Sequence, residues 1–305
     1  MRFVLPVNGP LDVGATLARY HVWGDDPANR VGDGIFRRVL RLDGRLWLWE
    51  ARWRGPVDDV RLDVTVPGAR SSRVEDAVRA EVEKIFGLGF DLEGFYRFAK
   101  SDRMLAGLVV PLHGMRPTLA PNGLEMIVGS ITAQQVNLAF AFACRARLVT
   151  RYGTPVAVDG DSVYAFPDAA ALAASRVSEL RAMKFSTRKA EYIRDLGRAV
   201  VDGALDVDAF TAATNDVVVD RITGLRGLGR WTAEWYLARC LGRGDVCPAG
   251  DLGVRRAFER YDGRGRALSE DAVRRRARAW GPYRNLAVHY LLAGLRLGLP
   301  AGTAG

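Results

Sequence analysis

The stretch that most constrains this chain is a glycine loop at residues 225–229, Leu-Arg-Gly-Leu-Gly. Residues 215–223 before it and 231–240 after it both carry apolar side chains at helical spacing. A helix, not a strand, is predicted before the loop. The glycine loop is therefore not a strand-to-helix turn of the kind that binds nucleotides. Gly227 and Gly229 lack a Cβ and can take positive φ, which lets the main chain approach a bulky anion. The sequence therefore predicts two helices joined by a loop that can be laid against a phosphate.

Charge supports a polyanionic partner for this loop. The first turn of the second helix holds Arg230 and Thr232, where free N–H groups and the helix dipole attract anions. The whole chain has a net charge of +9 and a pI of about 9.8, which is also typical of an ordinary solvated basic surface. Residues 221–290, however, contain fifteen arginines against seven acidic residues. This concentration around the loop favours nucleic acid as the partner.

The segment downstream of the loop carries a second motif. Gly227-Leu228-Gly229-Arg230-Trp231-Thr232-Ala233 is followed by Asp245, Pro248 and Asp251. Together these residues resemble the helix-hairpin-helix (HhH) and Gly/Pro/Asp (GPD) loop of the DNA glycosylase superfamily, and they are most similar to the 3-methyladenine DNA glycosylase II (AlkA) branch. The hairpin alone occurs in many DNA-binding proteins. The hairpin with an aspartate about 20 residues downstream is more specific.

The resemblance assigns the catalytic role to Asp251. Pro248-Ala249-Gly250 forms a turn and helical spacing resumes at Leu252, so Asp251 lies at or beside a helix N-cap. Taken alone, this position predicts a capping residue that contributes about 1 kcal/mol. The resemblance implies a catalytic carboxylate that stabilises an oxocarbenium-like sugar and orients or deprotonates water. The helix dipole favours its charged form. Asp245 ranks second, as a structural residue of the loop.

Trp231 and Trp235 are predicted to form the base pocket. Bifunctional members of the superfamily carry a nucleophilic lysine where this chain has Trp231, so the resemblance implies a monofunctional enzyme that leaves an abasic site. The two indoles lie one turn apart on one helix face and could stack on a cationic base. The alternative is that both indoles belong to the core. A further pocket tryptophan of relatives falls near Leu292, which predicts a wider pocket here.

Two glutamines lie inside an otherwise apolar helical segment, Ile131 to Val136. On their own, Gln134 and Gln135 are typical of amides on the open face of a helix. The resemblance implies that one of them fills the gap left by a displaced base. AlkA-type relatives have an apolar side chain at the second position, so which glutamine inserts stays open. Arg284 is predicted, with Arg230, to contact the DNA backbone.

The predicted fold class is mainly α with an N-terminal α+β lobe. An antiparallel β-sheet domain is followed by two helical subdomains that contain the helix-hairpin-helix motif. The predicted domains are residues 1–110, which resemble the AlkA N-terminal domain, and residues 111–305, with the hairpin at about 222–240 and the catalytic loop at 245–251.

Within the first domain, the alternating residues 41–49 contain Asp43-Gly44, which predicts a β-hairpin, and residues 60–66 alternate again. Ser72 and Glu75 predict a capping box that opens a helix ending at Gly87. The odd-spaced Trp47, Trp49 and Trp53 are predicted to pack in the core rather than to stack on bases.

No cofactor is predicted to be required. Cys144, Cys240 and Cys247 show no pairing pattern and are predicted to be ordinary thiols in a reducing cytoplasm. The histidines are scattered, so no metal site is expected, and the four cysteines that hold an iron–sulfur cluster in some relatives are missing. A monovalent cation, Na or K, at the hairpin is consistent with the resemblance. No signal segment or long apolar run is evident, which predicts a cytoplasmic protein without membrane contact. The resemblance implies a nucleoid-associated protein that acts as a monomer.

The resemblance leads to one main functional hypothesis. The protein is expected to bind damaged double-stranded DNA and flip out alkylated purines of the 3-methyladenine and 7-methylguanine type. It would then hydrolyse the N-glycosidic bond in base excision repair. The alternative is a non-catalytic damage-sensing or structural DNA-binding protein that uses the same hairpin. A nucleotide-binding enzyme ranks third, because no strand precedes Gly224.

Overall fold

The computed structural model describes residues 1–262 and 265–301. Within these residues, the strands are β1 (Arg2–Pro6), β2 (Arg30–Gly32), β3 (Ile35–Leu42), β4 (Arg45–Arg54), β5 (Arg61–Thr65), β6 (Thr154–Val158) and β7 (Asp161–Ala165). The α-helices are α1 (Val13–Leu17), α2 (Ser72–Ile85), α3 (Leu92–Ala99), α4 (Ala106–Val109), α5 (Gly123–Ala133), α6 (Leu138–Tyr152), α7 (Ala169–Ala173), α8 (Val177–Ala182), α9 (Thr187–Val201), α10 (Asn215–Thr223), α11 (Arg230–Arg239), α12 (Leu252–Tyr261), α13 (Glu270–Ala277) and α14 (Arg284–Leu297). None of the described helices is long and apolar enough to cross a membrane.

An antiparallel five-stranded sheet forms the N-terminal lobe, with strand order β1-β5-β4-β3-β2. Strands β3 and β4 form the predicted hairpin, in which Leu42 pairs with Arg45 across the turn. Asp43 and Gly44 have φ values of 51° and 72°, as a two-residue turn with positive φ at both positions requires. The fold class predicted from the sequence is confirmed: a sheet lobe is followed by a large helical region.

The tryptophans of β4 pack in the lobe as predicted. Trp49 is fully buried, and its indole N–H donates to Glu81 Oε2 of α2 at 2.9 Å. Trp47 and Trp53 are partly buried against the same apolar cluster. The prediction that these tryptophans pack in the core is therefore confirmed.

The start of α2 differs from the prediction. Ser71 is the N-cap and makes no side-chain capping bond, whereas Ser72 already belongs to the helix. Glu75 accepts a hydrogen bond from Arg79 at 2.9 Å instead of completing a box. The predicted capping box is wrong, because the helix begins one residue too early for Ser72 to cap it. The predicted stop is confirmed, since Gly87 follows the helix end with φ of +64°.

A second β-hairpin, β6–β7, was not predicted from the sequence. Asp159 and Gly160 form its turn, with φ values of 51° and 82°. Val163 and Ala165 of β7 pack against Val39 of β3, so the hairpin covers one face of the N-terminal sheet. The Asp-Gly pair between alternating residues is the same signal that identifies the first hairpin.

Three helical segments of the chain are short or divided. Residues 124–152 form two helices, α5 and α6, because Gln135 takes a φ of +54° between them. Asp102 accepts hydrogen bonds from the N–H groups of Met104 and Leu105, so only Ala106–Val109 remains α-helical there. Residues 169–182 form two short helices, α7 and α8, rather than one.

Buried ion pairs join the lobe to the helical region. Arg38 of β3 pairs with Glu125 of α5 at 2.6 Å and with Glu81 at 3.5 Å. Arg145 of α6 pairs with Glu125 at 2.6 Å and also with Asp26. Although burial lowers it, the carboxylates of Glu125 and Glu81 raise the pKa of Arg38 above its ordinary value.

The side chains of α3 and α4 pack into the large helical core rather than into the sheet lobe. The domain division at residues 110 and 111 stays a prediction, and residues 302–305 of the second domain lie outside the described residues.

Candidate active site

The glycine loop joins α10 to α11 as predicted. Gly227 has a φ of +85°, and a Cβ at this position would overlap the ring of Tyr192 from α9. This position therefore accepts only glycine. The prediction for Gly229 is wrong in one respect: its φ is −118°, which is not left-handed, and a Cβ would meet open space. Gly229 instead serves as the N-cap of α11, without a side-chain capping bond.

The two glutamines occupy different positions beside this loop. Gln134 caps the end of α5, and its Nε2 donates to the Gly227 carbonyl at 2.9 Å. Gln135 is exposed and has a left-handed backbone, at the apex of the turn between α5 and α6. Exposed Val136 and Leu138 follow it. Gln134 therefore fixes the hairpin loop to α5, which leaves Gln135 as the glutamine that projects.

Asp251 lies at the N-cap of α12 and receives three N–H donors. Its Oδ1 accepts the Val254 amide at 3.0 Å, the ordinary capping bond. Its Oδ2 accepts the indole N–H of Trp231 at 2.7 Å and that of Trp235 at 3.1 Å. The carboxylate is half-buried. The predicted pocket tryptophans thus lie beside the predicted catalytic carboxylate and orient it.

The arrangement corrects the expected role of Trp235 as a stacking surface. Its side chain is only 6% exposed, and the guanidinium carbon of Arg239 lies 4.9 Å from its ring centroid. One face of this indole is therefore already covered by a cation from the same helix. Trp231 is half-buried and retains exposed surface, so it is the better candidate for contact with a flipped base.

The segment before Asp251 is held by main-chain contacts. Arg284 donates from Nη1 to the Asp245 carbonyl at 2.8 Å, and the Asn285 amide donates to the Gly244 carbonyl at 3.0 Å. Asn215 Nδ2 donates to the exposed carboxylate of Asp245 and lies 3.2 Å from each of its two oxygens. This contact ties the loop to the start of α10. Arg284 thus supports the loop that leads to Asp251, and Asp245 has the structural position that the sequence predicted.

Two side chains in the first turn of α11, Arg230 and Thr232, differ in their exposure. Arg230 is 61% exposed and pairs with Glu234 at 2.9 Å, while Arg274 of α13 pairs with the same carboxylate at 2.7 Å. Thr232 is only 1% exposed, so its side chain faces the interior, and the DNA contact expected from the backbone N–H groups of this turn stays a prediction. The helix packs that side of its first turn against the protein interior. Arg230 remains accessible to a phosphate.

The thiols near the loop are buried. Burial raises the pKa of Cys240 to about 11 and that of Cys247 to about 12, so both stay protonated at neutral pH. In residues 1–262 and 265–301, no group of histidine, cysteine and acidic side chains is arranged to hold a metal ion.

Comparison with known sequences decides the family. The profile of the HhH-GPD superfamily of base excision DNA repair proteins matches residues 128–282, which is just over half of the chain. The chain belongs to the HhH-GPD superfamily.

Similar proteins identify the branch within the superfamily. The chain is 27% identical over 225 residues to the DNA-3-methyladenine glycosylase of Bacillus subtilis, covering 72% of this chain and 74% of that protein. It is 29% identical to the probable bifunctional transcriptional activator/DNA repair enzyme AlkA of Mycobacterium tuberculosis, covering 94% of this chain and 55% of the relative. The solved structure of the 3-methyladenine DNA glycosylase from Archaeoglobus fulgidus superposes with a TM-score of 0.86 at 28% identity, covering 97% and 98% of the two chains. The predicted AlkA type is confirmed.

Three residues at this HhH-GPD site were not predicted from the sequence, or were predicted only in part. Arg239 lies four residues after Trp235, a helical spacing that predicts the contact between them. His289 packs edge-on against Trp235, with ring centroids 5.9 Å apart. Leu292 lies beside the site, since a Cβ on Gly253 would be 3.2 Å from it and 3.1 Å from Asp251 Oδ1. Only the three-dimensional fold brings α14 to α11.

Proposed function

We propose that the protein is a monofunctional DNA glycosylase of the 3-methyladenine DNA glycosylase II type. It binds damaged double-stranded DNA as a monomer and swings an alkylated purine of the 3-methyladenine or 7-methylguanine type out of the helix. It then hydrolyses the N-glycosidic bond and leaves an abasic site. The observation that carries this proposal is the half-buried Asp251 carboxylate, which three N–H donors hold beside a glycine hairpin.

The hydrogen bonds of Asp251 indicate which oxygen does the chemistry. A carboxylate has about four lone-pair positions. Two on Oδ2 are used by the indoles and one on Oδ1 by the Val254 amide, which leaves a lone pair on Oδ1. In the proposed mechanism this oxygen faces C1′ or the attacking water. Its negative charge stabilises the oxocarbenium-like sugar, and the fixed donors keep it from reorienting.

The missing nucleophilic amine favours hydrolysis without strand cleavage. A lyase step needs an amine that forms a Schiff base with C1′. No lysine occurs after Lys189 in the sequence, and that amine donates to the Thr132 carbonyl at 2.9 Å. The position used by bifunctional relatives holds Trp231, whose N–H is bonded to the carboxylate. We therefore propose that no lyase step follows base release.

The hairpin and the projecting glutamine account for DNA binding in this proposal. Gly227, Gly229 and the first amides of α11 contact a phosphate, and Arg230 adds an exposed positive charge. Gln135 enters the stack in place of the displaced base and offers its amide to the orphaned partner. The predicted monovalent cation at the hairpin stays a prediction.

The experiment is a product analysis on duplexes that each carry one alkylated purine. Released bases are identified by mass, and the DNA is examined with and without alkali. We expect free base, an alkali-labile abasic site and an uncut strand without alkali. Cutting without alkali would refute the monofunctional assignment. Binding of an abasic duplex with steep salt dependence, but without release of any base, would favour the non-catalytic alternative.

A further inference from the structure

Gly253, two residues after the proposed catalytic carboxylate, is a glycine that its backbone does not require. It is the second residue of α12, and its φ lies outside the left-handed region. Within a helix, glycine is less favourable than alanine, because it loses more backbone freedom on folding. The residue is partly exposed rather than sealed in the core. The reason for glycine at this position therefore lies in the atoms that surround it.

The N-cap arrangement of Asp251 does not require glycine either. Asp168 caps α7 in the same way, since its Oδ1 accepts the amide of Ala171, three positions on, at 2.8 Å. An alanine, Ala170, occupies the position of α7 that corresponds to Gly253. An aspartate cap in this fold thus tolerates a methyl group two residues after it.

A methyl group at position 253 would press on Asp251 from the side of Oδ1. An added Cβ would lie 3.1 Å from Oδ1 and 3.2 Å from Leu292 Cδ2 of α14, and both distances are tighter than ordinary van der Waals contact. The carboxylate cannot move away without weakening the three N–H bonds that hold it. Asp251 Oδ1 and Leu292 therefore flank the same space, which glycine leaves unfilled.

We propose that Gly253 keeps open the approach to Asp251 Oδ1, so that C1′ of the flipped nucleotide or the attacking water can reach this oxygen. This inference rests on the proposed function, in which Oδ1 carries the free lone pair. The indole N–H groups of Trp231 and Trp235 occupy Oδ2, so the reacting atoms must come to the other oxygen. A side chain at position 253 would stand on that side. Gly253 acts through Asp251 and is therefore a positioning residue rather than a catalytic one.

Close packing of α12 against α14 is the other reason for a glycine at this position. A methyl group on Gly253 would then harm only the contact with Leu292, and Leu292→Ala would relieve the loss of stability together with any loss of rate. Obstruction of Oδ1 predicts a loss of rate that persists. The helix backbone fixes the direction of the added Cβ, so shortening Leu292 does not move it away from the carboxylate.

The test measures single-turnover release of 7-methylguanine at saturating enzyme, together with the melting temperature, for Gly253→Ala, Leu292→Ala and the double variant. Gly14→Ala is the matched control. Gly14 holds the same position after Asp12, the N-cap of α1, and a Cβ there would lie 3.4 Å from Asp12 Oδ1. We expect Gly253→Ala to slow release about tenfold to hundredfold, because small displacements at a reacting centre cost rate steeply. Gly14→Ala should keep the wild-type rate.

The double variant separates obstruction from packing. Adding Gly253→Ala to Leu292→Ala should slow release by a similar factor, while the melting temperature stays at or above that of Leu292→Ala alone. The same comparison tests the proposal if Gly253→Ala by itself is too unstable to assay, since the shortened Leu292 leaves room for the methyl group.

A wild-type rate in folded Gly253→Ala overturns the role of Gly253 and leaves the proposed function intact. A rate that Leu292→Ala restores also overturns it, because helix packing would then be the cause, and so does an equal loss of rate in Gly14→Ala. If the wild-type protein releases no alkylated purine, the proposed function itself is overturned and the inference fails with it.

Discussion

The hydrogen bond from Trp231 to Asp251 offers the sharpest single perturbation. Trp231→Phe keeps an aromatic ring at this position but removes part of the indole, including the N–H whose nitrogen lies 2.7 Å from Oδ2. A hydrogen bond to a charged group contributes about 1.5–3 kcal/mol. Since each ~1.4 kcal/mol is a factor of ten in rate, base release is expected to slow about tenfold to hundredfold. The longer bond from Trp235, at 3.1 Å, still holds the same oxygen and limits the loss.

The assay is single-turnover release of an alkylated purine by wild type, Trp231→Phe, Asp251→Asn and the double variant. If Trp231 acts through the carboxylate, the tryptophan substitution has little further effect once Asp251 is replaced. Trp53→Phe changes a half-buried indole of the N-terminal lobe and should leave the rate unchanged. Independent, multiplicative effects of the two substitutions would refute the view that Trp231 orients Asp251.

Other contacts give three further predictions. Gly227→Ala forces a side chain into the Tyr192 ring at a left-handed φ, so duplex affinity and melting temperature should both fall, while Gly229→Ala should be mild. Gln135→Ala should slow base release from duplex DNA more than from single strands, because only the duplex needs the gap filled. Glu125→Gln should lower the free energy of unfolding by about 3–5 kcal/mol in chemical denaturation at pH 7, since it breaks a buried ion pair.

The pH dependence of the last variant follows from its charge partners. Although burial raises it, Arg38 and Arg145 lower the pKa of Glu125 below the ordinary 4.5. A carboxylate with a lowered pKa stabilises the fold above its unfolded pKa and loses that contribution as the pH falls below it. The gap in stability between wild type and Glu125→Gln should therefore narrow below about pH 4.5. A gap that stays constant down to pH 3 would contradict the assignment of this ion pair.

Local spacing was sufficient to predict much of the site. The glycine loop, the helices beside it and the N-cap position of Asp251 depend on short-range backbone preferences, which neighbouring residues reveal. The same holds for the turn at Asp43 and Gly44. The β6–β7 hairpin was equally readable, since Asp159 and Gly160 repeat that turn.

Side-chain orientation could not be predicted in the same way. Helical spacing places Trp231 and Trp235 on one face, yet only the packed structure turns both indole N–H groups towards Asp251. Burial of Thr232 depends on which side of α11 meets the interior. The contact of His289 with Trp235 joins residues far apart in the chain, on different helices. These features arise from tertiary packing, which a single sequence pattern does not encode.

The most direct measurement is the single-turnover rate of base release by Asp251→Asn at saturating enzyme on a duplex with one 7-methylguanine. A carboxylate about 4 Å from a developing sugar cation contributes roughly 4 kcal/mol at an effective dielectric of 20, which is about a thousandfold in rate. We predict a loss of that order, with duplex binding kept within a few-fold of wild type. Release at the wild-type rate by a folded, DNA-binding Asp251→Asn would contradict the catalytic role of this carboxylate.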